Sequence, residues 1–335
     1  MSDFDLSRRH LMMGGAALTA AGATGLVGPA ASPAEAKAPF AKSQPAYYYR
    51  FNHGKMQITM VSDGPLPLGA PGDAFLGLSK GEIESLLKNN FLAPDNIVLE
   101  QNCPVVNTGG KLVLFETGMG ASKMFGPTTG RLIQSLGEAG IRPRDIDAVV
   151  CSHAHIDHIG GLVDARGRRL FPNAQVYISQ SDFDFWTDDK DPKKNKAFVE
   201  HARKNLLPYR NRIVFVKDGQ EFLPGITAMA APGHTVGHTV FMVTSEGKSI
   251  ALIGDLTHHQ ILLTEKPRTE FAYDTDPKQS AATRVRILDM LAAQRIPMLA
   301  YHFPWPGLGH VAKNGDGFRY FATPMELVRI PPKKA

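Results

Sequence analysis

Three histidines and one aspartate fall within six consecutive residues of this chain. His153, His155, Asp157 and His158 directly follow an apolar run at 148–151 and precede two glycines. Neutral imidazole and carboxylate are the groups that bind Zn²⁺ and similar cations in proteins. Packed this tightly without a cation, such groups would lack partners, which costs free energy. A solvated histidine-rich loop is the alternative, but the strand-like run before the cluster favours a metal site.

Three later segments each place a metal-binding residue at the end of an apolar stretch. His234 follows Ala-Ala-Pro-Gly, Asp255 follows Leu-Ile-Gly, and His302 follows Leu-Ala-Tyr. Each is a weak signal alone, because a polar residue at a strand end is more often a cap or a solvated group. Together with the cluster they form a set of five histidines and two aspartates, which predicts one shared metal site.

Strand-like and helix-like segments follow one another along the chain. Alternating or apolar runs predict strands at 56–61, 105–115 (two strands around a Gly-Gly turn), 146–151, 175–179, 213–216, 226–230, 239–244, 249–253 and 297–301. Residue spacing predicts helices at 81–89, 129–139, 181–187, 194–205 and 278–294, and prolines and glycines predict a loop at 64–78. Strand-rich blocks separated by helices, with polar clusters at strand ends, predict an α+β fold in which helices flank the sheets.

The composition is that of an ordinary globular enzyme, with 335 residues of which 43% are hydrophobic and 21% are charged. The net charge is +5, but the basic residues are scattered, which favours a solvated basic face over nucleic-acid binding. After residue 36 no stretch is apolar for long enough to span a membrane. Cys103 and Cys151 lie in or beside apolar strands, so we expect two buried free thiols rather than a disulfide.

The first 36 residues differ from the rest of the chain. Arg8 and Arg9 precede a weakly apolar, Ala/Gly-rich stretch at 13–31, and Ala34-Glu35-Ala36 then offers a small-x-small cleavage site. This arrangement resembles a twin-arginine export signal, and its many glycines disfavour a buried helix. We therefore expect residues 1–36 to be a signal peptide and residues 37–335 to form a single domain in the periplasm or outside the cell.

The order of the metal-binding motifs resembles the metallo-β-lactamase fold. His-x-His-x-Asp-His, Gly-His-Thr, Gly-Asp and a late histidine follow one another in the family's order, and the resemblance spans residues 56–322. It implies an αββα sandwich of two mixed β-sheets flanked by helices, with two divalent metal ions at one end. Zinc is the favoured metal, with manganese, cobalt or iron as alternatives. By position, His153, His155 and His234 would bind the first metal, Asp157, His158 and His302 the second, and Asp255 would bridge them.

Such a pair of metals implies hydrolysis by a bridging hydroxide, without a Ser or Cys nucleophile. Asp157 and Asp255 are then catalytic as well as metal-binding, with Asp157 the candidate for proton transfer. One departure from the family is visible at the end of the early hairpin. The family often has Asp-Thr-Gly there, whereas this chain has Glu116-Thr117-Gly118. We expect Glu116 to support a metal ligand from behind, with shifted geometry.

Further segments resemble the family of methyl parathion hydrolase and its lactonase and aryl-esterase relatives. They are Tyr48-Tyr49-Arg50, Phe125-Gly126-Pro127-Thr128, Asp184-Phe185-Trp186, Leu223-Pro224-Gly225-Ile226 and the run Phe-Pro-Trp-Pro-Gly-Leu-Gly-His at 303–310. This resemblance implies a homodimer and a substrate pocket lined by Phe125, Trp186 and Phe198. Core packing is the alternative for each of these aromatic side chains.

His258 is the third candidate catalytic residue, and it bears on the choice of substrate. In lactonases of this superfamily, a Tyr three residues after the bridging Asp hydrogen-bonds the substrate carbonyl, and His258 occupies that spacing. The alternative is that His258 and His259 are solvated. The bulky Phe271 and Tyr273 predict a tight pocket for flat aryl or lactone esters.

We therefore expect hydrolysis of small lactones and aryl esters, with phosphotriester hydrolysis as a secondary activity. A dedicated organophosphate hydrolase is one alternative, and a non-catalytic metal-dependent binding or signalling module is another. β-Lactam hydrolysis is disfavoured, because class B β-lactamases commonly have Cys where this chain has Asp255.

Overall fold

Two seven-stranded sheets form the centre of the fold in a computed structural model, which describes residues 48–190 and 194–326. The first sheet has the order β1 (Tyr48–His53), β2 (Met56–Ser62), β6 (Asn102–Asn107), β7 (Leu112–Phe115), β8 (Ala148–Val150), β9 (Gln175–Ser179) and β10 (Ile213–Val216). The second has the order β11 (Glu221–Leu223), β12 (Ile226–Ala230), β13 (Thr239–Ser245), β14 (Lys248–Leu252), β16 (Met298–Leu299), β17 (Leu308–Asn314) and β18 (Gly317–Ala322). Both sheets are mixed, because parallel and antiparallel pairs occur in each.

Helices and two short strand pairs complete the described fold. The helices are α1 (Pro71–Ala74), α2 (Lys80–Asn89), α3 (Leu132–Glu138), α4 (Ile156–Ile159), α5 (Gln180–Thr187), α6 (Lys196–Leu206) and α7 (Pro277–Gln294). The short pairs are β3 (Leu66–Gly69) with β5 (Ile97–Leu99), and β4 (Phe75–Leu76) with β15 (Glu270–Phe271). Helix α7 begins with Asp276 as its N-cap and Pro277 in its first turn, and it ends at Arg295 in the left-handed conformation.

Successive side chains of each strand point to opposite faces of the sheet, so each strand contributes to two apolar layers. In β2, Ile58 and Met60 face the core between the sheets, whereas Val61 faces the layer beneath α3, α5 and α6. In β13, Phe241 faces the core between the sheets and Val240 faces the layer beneath α7. Helices therefore cover the outer face of each sheet, and the predicted αββα sandwich is confirmed.

The prediction of a loop at 64–78 is wrong in part. This segment contains β3, α1 and β4, and together with β5 and α2 it covers a fourth apolar cluster that includes Phe75 and Phe271. Prolines and glycines obscured the signal, since they suggest a loop while the leucines between them are buried or half-buried. The hairpin of β17 and β18 was also not predicted.

Three further predictions concern the rest of the chain. Cys103 and Cys151 are both buried and free, as expected. None of the described helices is long and apolar enough to cross a membrane. The export signal at residues 1–36 lies outside the described residues and stays a prediction.

Candidate metal centre

The seven predicted ligands come together at one edge of the two sheets. Their nitrogen and oxygen atoms form two groups, and within each group these atoms lie within 4.8 Å of one another. The first group is His153, His155 and His234, and the second is Asp157, His158, Asp255 and His302. The first group contains the three residues that the family resemblance assigned to the first metal, and the second adds the expected bridging ligand Asp255 to the three assigned to the second metal. A third group, of His234, Asp255 and His258, overlaps both.

Strand direction explains why residues so distant in sequence meet. His153 and His155 follow β8, while Asp157 and His158 lie on the short helix α4. In the second sheet, β12 and β14 are each antiparallel to β13, and β16 is parallel to β14, so these three strands end at the same edge. His234 follows β12, Asp255 follows β14 and His302 follows β16. Each ligand therefore lies on the connection that leaves a strand at this edge.

Two glycines permit the close approach of the ligand loops. Gly233, before His234, has a φ of +131°, and a Cβ there would lie 2.2 Å from the Ser280 nitrogen. Gly254, before Asp255, has a φ of +48°, and a Cβ there would lie 2.8 Å from His238 Nε2. Any other residue at these positions would be strained and would push the ligand loop away from its neighbours.

The Asp255 carboxylate presents one oxygen to each group. Its Oδ2 lies 3.2 Å from His234 Nε2 and 3.8 Å from His153 Nε2. Its Oδ1 lies 3.1 Å from His158 Nε2 and 3.4 Å from His302 Nε2. This geometry is what a ligand shared between two cations requires.

The donor set fits divalent cations. His234 Nε2 lies 3.0 Å from His155 Nδ1 and 3.1 Å from His153 Nε2, so three buried ring nitrogens converge on one point. His158 Nε2 and Asp255 Oδ1 are buried and lie 3.1 Å apart, but neither makes a hydrogen bond of acceptable geometry among the described residues. Buried polar atoms are rarely left without partners, and imidazole with carboxylate is a ligand set suited to zinc.

Hydrogen-bonding groups lie behind several ligands and orient their rings. Ser152 Oγ lies 3.0 Å from His153 Nδ1, the Asp274 carboxylate 2.8 Å from His234 Nδ1, and the Glu100 carbonyl 2.8 Å from His302 Nδ1. The Tyr301 hydroxyl donates to the backbone carbonyl of Asp157 over 2.5 Å. Such contacts orient a ring so that its other nitrogen faces the metal. None of these supporting residues was singled out in the sequence.

Glu116 lies where a supporting carboxylate was expected. Its Oε2 is 3.2 Å from His158 Nδ1, and its carboxylate also accepts the backbone N–H of Ser152. The backbone of Glu116 is left-handed, with a φ of +63°, a conformation that residues other than glycine seldom adopt. The longer side chain thus reaches the ligand from a strained backbone position.

The environment sets the charge of the histidines in the metal-free protein. Burial and the neighbouring histidines lower the pKa of His153 and His155, which keeps both rings neutral. Burial alone would also lower the pKa of His234 and His302. Asp255 and Asp274 instead raise the pKa of His234 to about 9. Asp255 and Asp157 raise the pKa of His302 to about 9 as well. Burial would likewise lower the pKa of His158, but Asp255, Asp157 and Glu116 raise that pKa well above its ordinary value. At neutral pH these three rings therefore carry protons that a metal must displace.

We expect metal binding to the metal-free protein to release protons at pH 7, about one from each of His158, His234 and His302, because only the deprotonated ring coordinates. Metal affinity should rise with pH at least until about 9, the pKa of His234 and His302. Calorimetric titration in two buffers of different ionisation enthalpy measures this release. Equal apparent enthalpies in both buffers would contradict the expectation.

A cavity opens above these ligands. Five of the six predicted substrate-binding residues line it: Phe125, Phe198, His258, Phe271 and Tyr273. Leu66, Leu68 and Leu99, from the β3–β5 pair, add an apolar wall that the sequence did not predict. The cavity therefore has polar groups at its base and mainly apolar side chains around them.

Trp186, the sixth predicted substrate-binding residue, lies elsewhere. Its side chain is buried in the layer between the first sheet and α5 and α6, and it does not line the cavity. The indole ring packs edge-on against His155, with ring centroids 5.0 Å apart, and lies 6.0 Å from the ring of Phe198. Trp186 thus supports a ligand and a cavity residue from behind.

His258 is not solvated, since it is only 2% exposed. Its Nε2 lies 3.0 Å from Asp255 Oδ2, and its ring stacks on Phe271 at a centroid distance of 3.9 Å. His259 is also buried, and its Nδ1 accepts the backbone N–H groups of Ile261 and Leu262. His258 therefore faces the cavity beside the shared carboxylate, whereas His259 has a structural role.

Residues 96–297 match the family model of the metallo-beta-lactamase superfamily. The chain belongs to this superfamily. It is accordingly a metal-dependent hydrolase of the metallo-beta-lactamase fold, with histidine and aspartate groups that fit two divalent metals.

Two superfamily members of known structure are similar over nearly their whole length. AidC, described as a dizinc quorum-quenching lactonase in complex with an N-hexanoyl-L-homoserine product, has 29% identity and a TM-score of 0.80, covering 84% of this chain and 99% of its own. The hydrolase AbOPH has 29% identity and a TM-score of 0.79, covering 85% and 100%.

Curated superfamily relatives match shorter stretches. An N-acyl homoserine lactonase of Bacillus cereus is 24% identical over 183 residues, which is 49% of this chain and 67% of the relative. Metallo-beta-lactamase domain-containing protein 1 of Xenopus laevis is 33% identical over 127 residues, 37% of this chain, and the match spans only 43% of that relative's length.

Proposed function

We propose that this metallo-hydrolase cleaves lactones and aryl esters at a dinuclear metal centre, most readily one of zinc. One observation carries the proposal: the Asp255 carboxylate faces both ligand groups at the base of a mainly apolar cavity. The similarity to AidC, a dizinc lactonase, supports the choice of both metal and substrate.

When bound, the metals would activate a water molecule and polarise the ester carbonyl. His153, His155 and His234 would hold one of them, and Asp157, His158 and His302 the other, with Asp255 between them. The protein supplies the remaining functions, which are binding, orientation and proton transfer.

Asp157 is the proposed proton carrier. Burial alone would raise the pKa of its carboxyl group, but the charge of His158 and a hydrogen bond from His302 lower it to about 2. In the metal-free protein the group is therefore ionised at neutral pH. It lines the cavity, so it can take a proton from the attacking water and return it to the leaving oxygen.

The cavity walls hold the organic part of the substrate. The rings of Phe125 and Tyr273 pack in an edge-to-face arrangement with their centroids 6.2 Å apart. The ring of Phe271 packs beside that of Tyr273 at a centroid distance of 5.5 Å. Flat aryl or lactone rings suit such aromatic surfaces. His258 offers a polar group beside Asp255, where the ester carbonyl would lie.

A dedicated organophosphate hydrolase is the second candidate, because the same ligand set suits a phosphoryl oxygen as well as a carbonyl oxygen. His258, Phe271 and Tyr273 favour the lactone and aryl-ester proposal, since they make the cavity polar beside Asp255 and narrow around it. A non-catalytic binding module is disfavoured, because all seven ligands are present and converge.

The test is metal analysis followed by a hydrolysis panel on the full mature protein. The panel contains aryl esters, γ- and δ-lactones, N-acyl homoserine lactones, methyl paraoxon and a cephalosporin. We expect about two equivalents of metal and the highest kcat/KM on a lactone or an aryl ester. One metal or none would overturn the dinuclear centre, and a higher kcat/KM on methyl paraoxon would reverse the order of the candidates.

A further inference from the structure

Arg284, on α7, is fully buried and is not one of the proposed metal ligands. Its Nε donates to the Leu256 carbonyl over 2.9 Å, and its Nη1 donates to the carbonyls of Pro267 and Thr269 over 2.9 and 2.8 Å. Its Nη2 donates to Ser280 Oγ over 3.2 Å. Burying a guanidinium is costly unless its donors and its charge find partners, so this set of contacts needs an explanation.

The charge partner of Arg284 is the carboxylate behind a proposed metal ligand. Asp274 Oδ1 lies 2.8 Å from His234 Nδ1, and Asp274 Oδ2 lies 3.7 Å from Arg284 Nη2. Oδ2 is buried and has no hydrogen-bond partner among the described residues. Arg284 therefore compensates the charge of the carboxylate that orients His234.

The Asp274 segment is also tied to the His234 loop through the backbone. The Thr275 N–H donates to the His234 carbonyl over 2.8 Å, and the Asp276 N–H donates to the Gly233 carbonyl over 2.9 Å. A displacement of Asp274 would therefore be transmitted to His234 through both side-chain and backbone contacts.

The three carbonyl contacts of Arg284 hold a different part of the site. Leu256 directly follows Asp255, and Pro267 and Thr269 lie just before Phe271. The segment between these contacts includes His258, which stacks on Phe271 in the cavity wall. One side chain thus anchors both ends of the segment that forms this wall.

We propose that Arg284 is a positioning residue that fixes His234 and the cavity wall of His258 and Phe271 in their positions relative to each other. The inference rests on the proposed dinuclear hydrolase and adds a specific role for a residue outside the ligand set. The ion pair with Asp274 maintains the metal ligand, and the forked hydrogen bonds to three carbonyls maintain the substrate wall.

The two roles are separable by substitution. Arg284→Met removes both the charge and the donors at similar length. Arg284→Lys keeps the charge near Asp274, but an ammonium group cannot reproduce the planar fork that reaches three carbonyls. Arg286→Met is the matched control, because Arg286 lies on the exposed face of the same helix.

The experiment measures metal affinity by chelator competition with Zn²⁺, together with KM and kcat on the best lactone. We expect Arg284→Met to weaken binding of one of the two metals by about tenfold to a hundredfold, and to raise KM. Arg284→Lys should recover most of the metal affinity and still show the raised KM. Arg286→Met should match the unmodified protein in both measurements.

Unchanged metal affinity and KM in a folded Arg284→Met protein would overturn the inference, and so would equal recovery of both quantities in Arg284→Lys. If circular dichroism shows that Arg284→Met does not fold, Arg284→Lys and the isosteric Asp274→Asn decide. Asp274→Asn should weaken metal binding without raising KM, and unchanged binding there would also overturn the inference. Failure of the proposed function is a separate outcome, since the unmodified protein would then bind fewer than two metals or would not prefer lactones and aryl esters.

Discussion

Replacing Asp255 by alanine should lower kcat/KM on the best lactone by about 10³-fold and leave the protein with fewer than two bound metals. The carboxylate faces His234 with one oxygen at 3.2 Å and His158 with the other at 3.1 Å, so its loss removes one ligand from each proposed metal. A loss of about 4 kcal/mol of transition-state stabilisation corresponds to this factor. Steady-state kinetics and metal analysis of the same preparation measure both effects.

Asp95→Ala is the matched control for this substitution, because Asp95 is exposed and lies far along the chain from the ligands. We expect it to retain the metals and the activity of the unmodified protein. If Asp255→Ala retained kcat/KM within about tenfold, the shared carboxylate would not be essential and the dinuclear proposal would fail.

The ligands could be predicted because their signal is local. Residues 153–158 bring three histidines and one aspartate together within six consecutive positions. His234, Asp255 and His302 each follow a short apolar run. A strand that ends at a sheet edge displays its next residues there whatever the rest of the chain does. The strand order that brings β12, β14 and β16 to the same edge needed the family resemblance, because pairing between distant strands leaves no local trace.

The residues behind the ligands could not be predicted, since their role depends only on distant contacts. Asp274 lies 40 residues from His234 in a polar segment that resembles any helix start. Arg284 and Arg286 are two positions apart on α7, and only the direction of the side chain separates a buried anchor from an exposed arginine. Helix packing against the 256–269 segment decides that direction.

Aromatic residues show the same limit at the cavity. Phe198 lines the cavity, while Trp186 packs behind His155, although both are aromatic residues on neighbouring helices. Leu66, Leu68 and Leu99 were missed because prolines and glycines around them suggest a loop. Apolar residues fill cores and pockets equally well, so only the packed structure distinguishes the two.

Replacing His258 by leucine should shift the preference of the enzyme from lactones towards phosphotriesters by about tenfold or more in the ratio of their kcat/KM values. His258 lies 3.0 Å from Asp255 Oδ2 and provides the polar group beside the expected position of the ester carbonyl. Leucine removes the hydrogen bond that His258 would donate to the ester carbonyl in the proposed mechanism, which is worth about 1.5 kcal/mol, or about tenfold in rate. It also makes the cavity more apolar, which suits the alkoxy and aryl groups of a phosphotriester.

The measurement is kcat/KM on a δ-lactone and on methyl paraoxon, with metal content determined for each preparation, because His258 touches a proposed ligand. His310→Leu is the control, since His310 is exposed on β17 and the same change of residue type there should leave the ratio unaltered. An unchanged ratio in a fully metal-loaded His258→Leu protein would exclude His258 as a determinant of specificity. The preference for lactones over phosphotriesters would then have to come from the aromatic wall of Phe271 and Tyr273. The role of His258 would be limited to its stacking contact with Phe271.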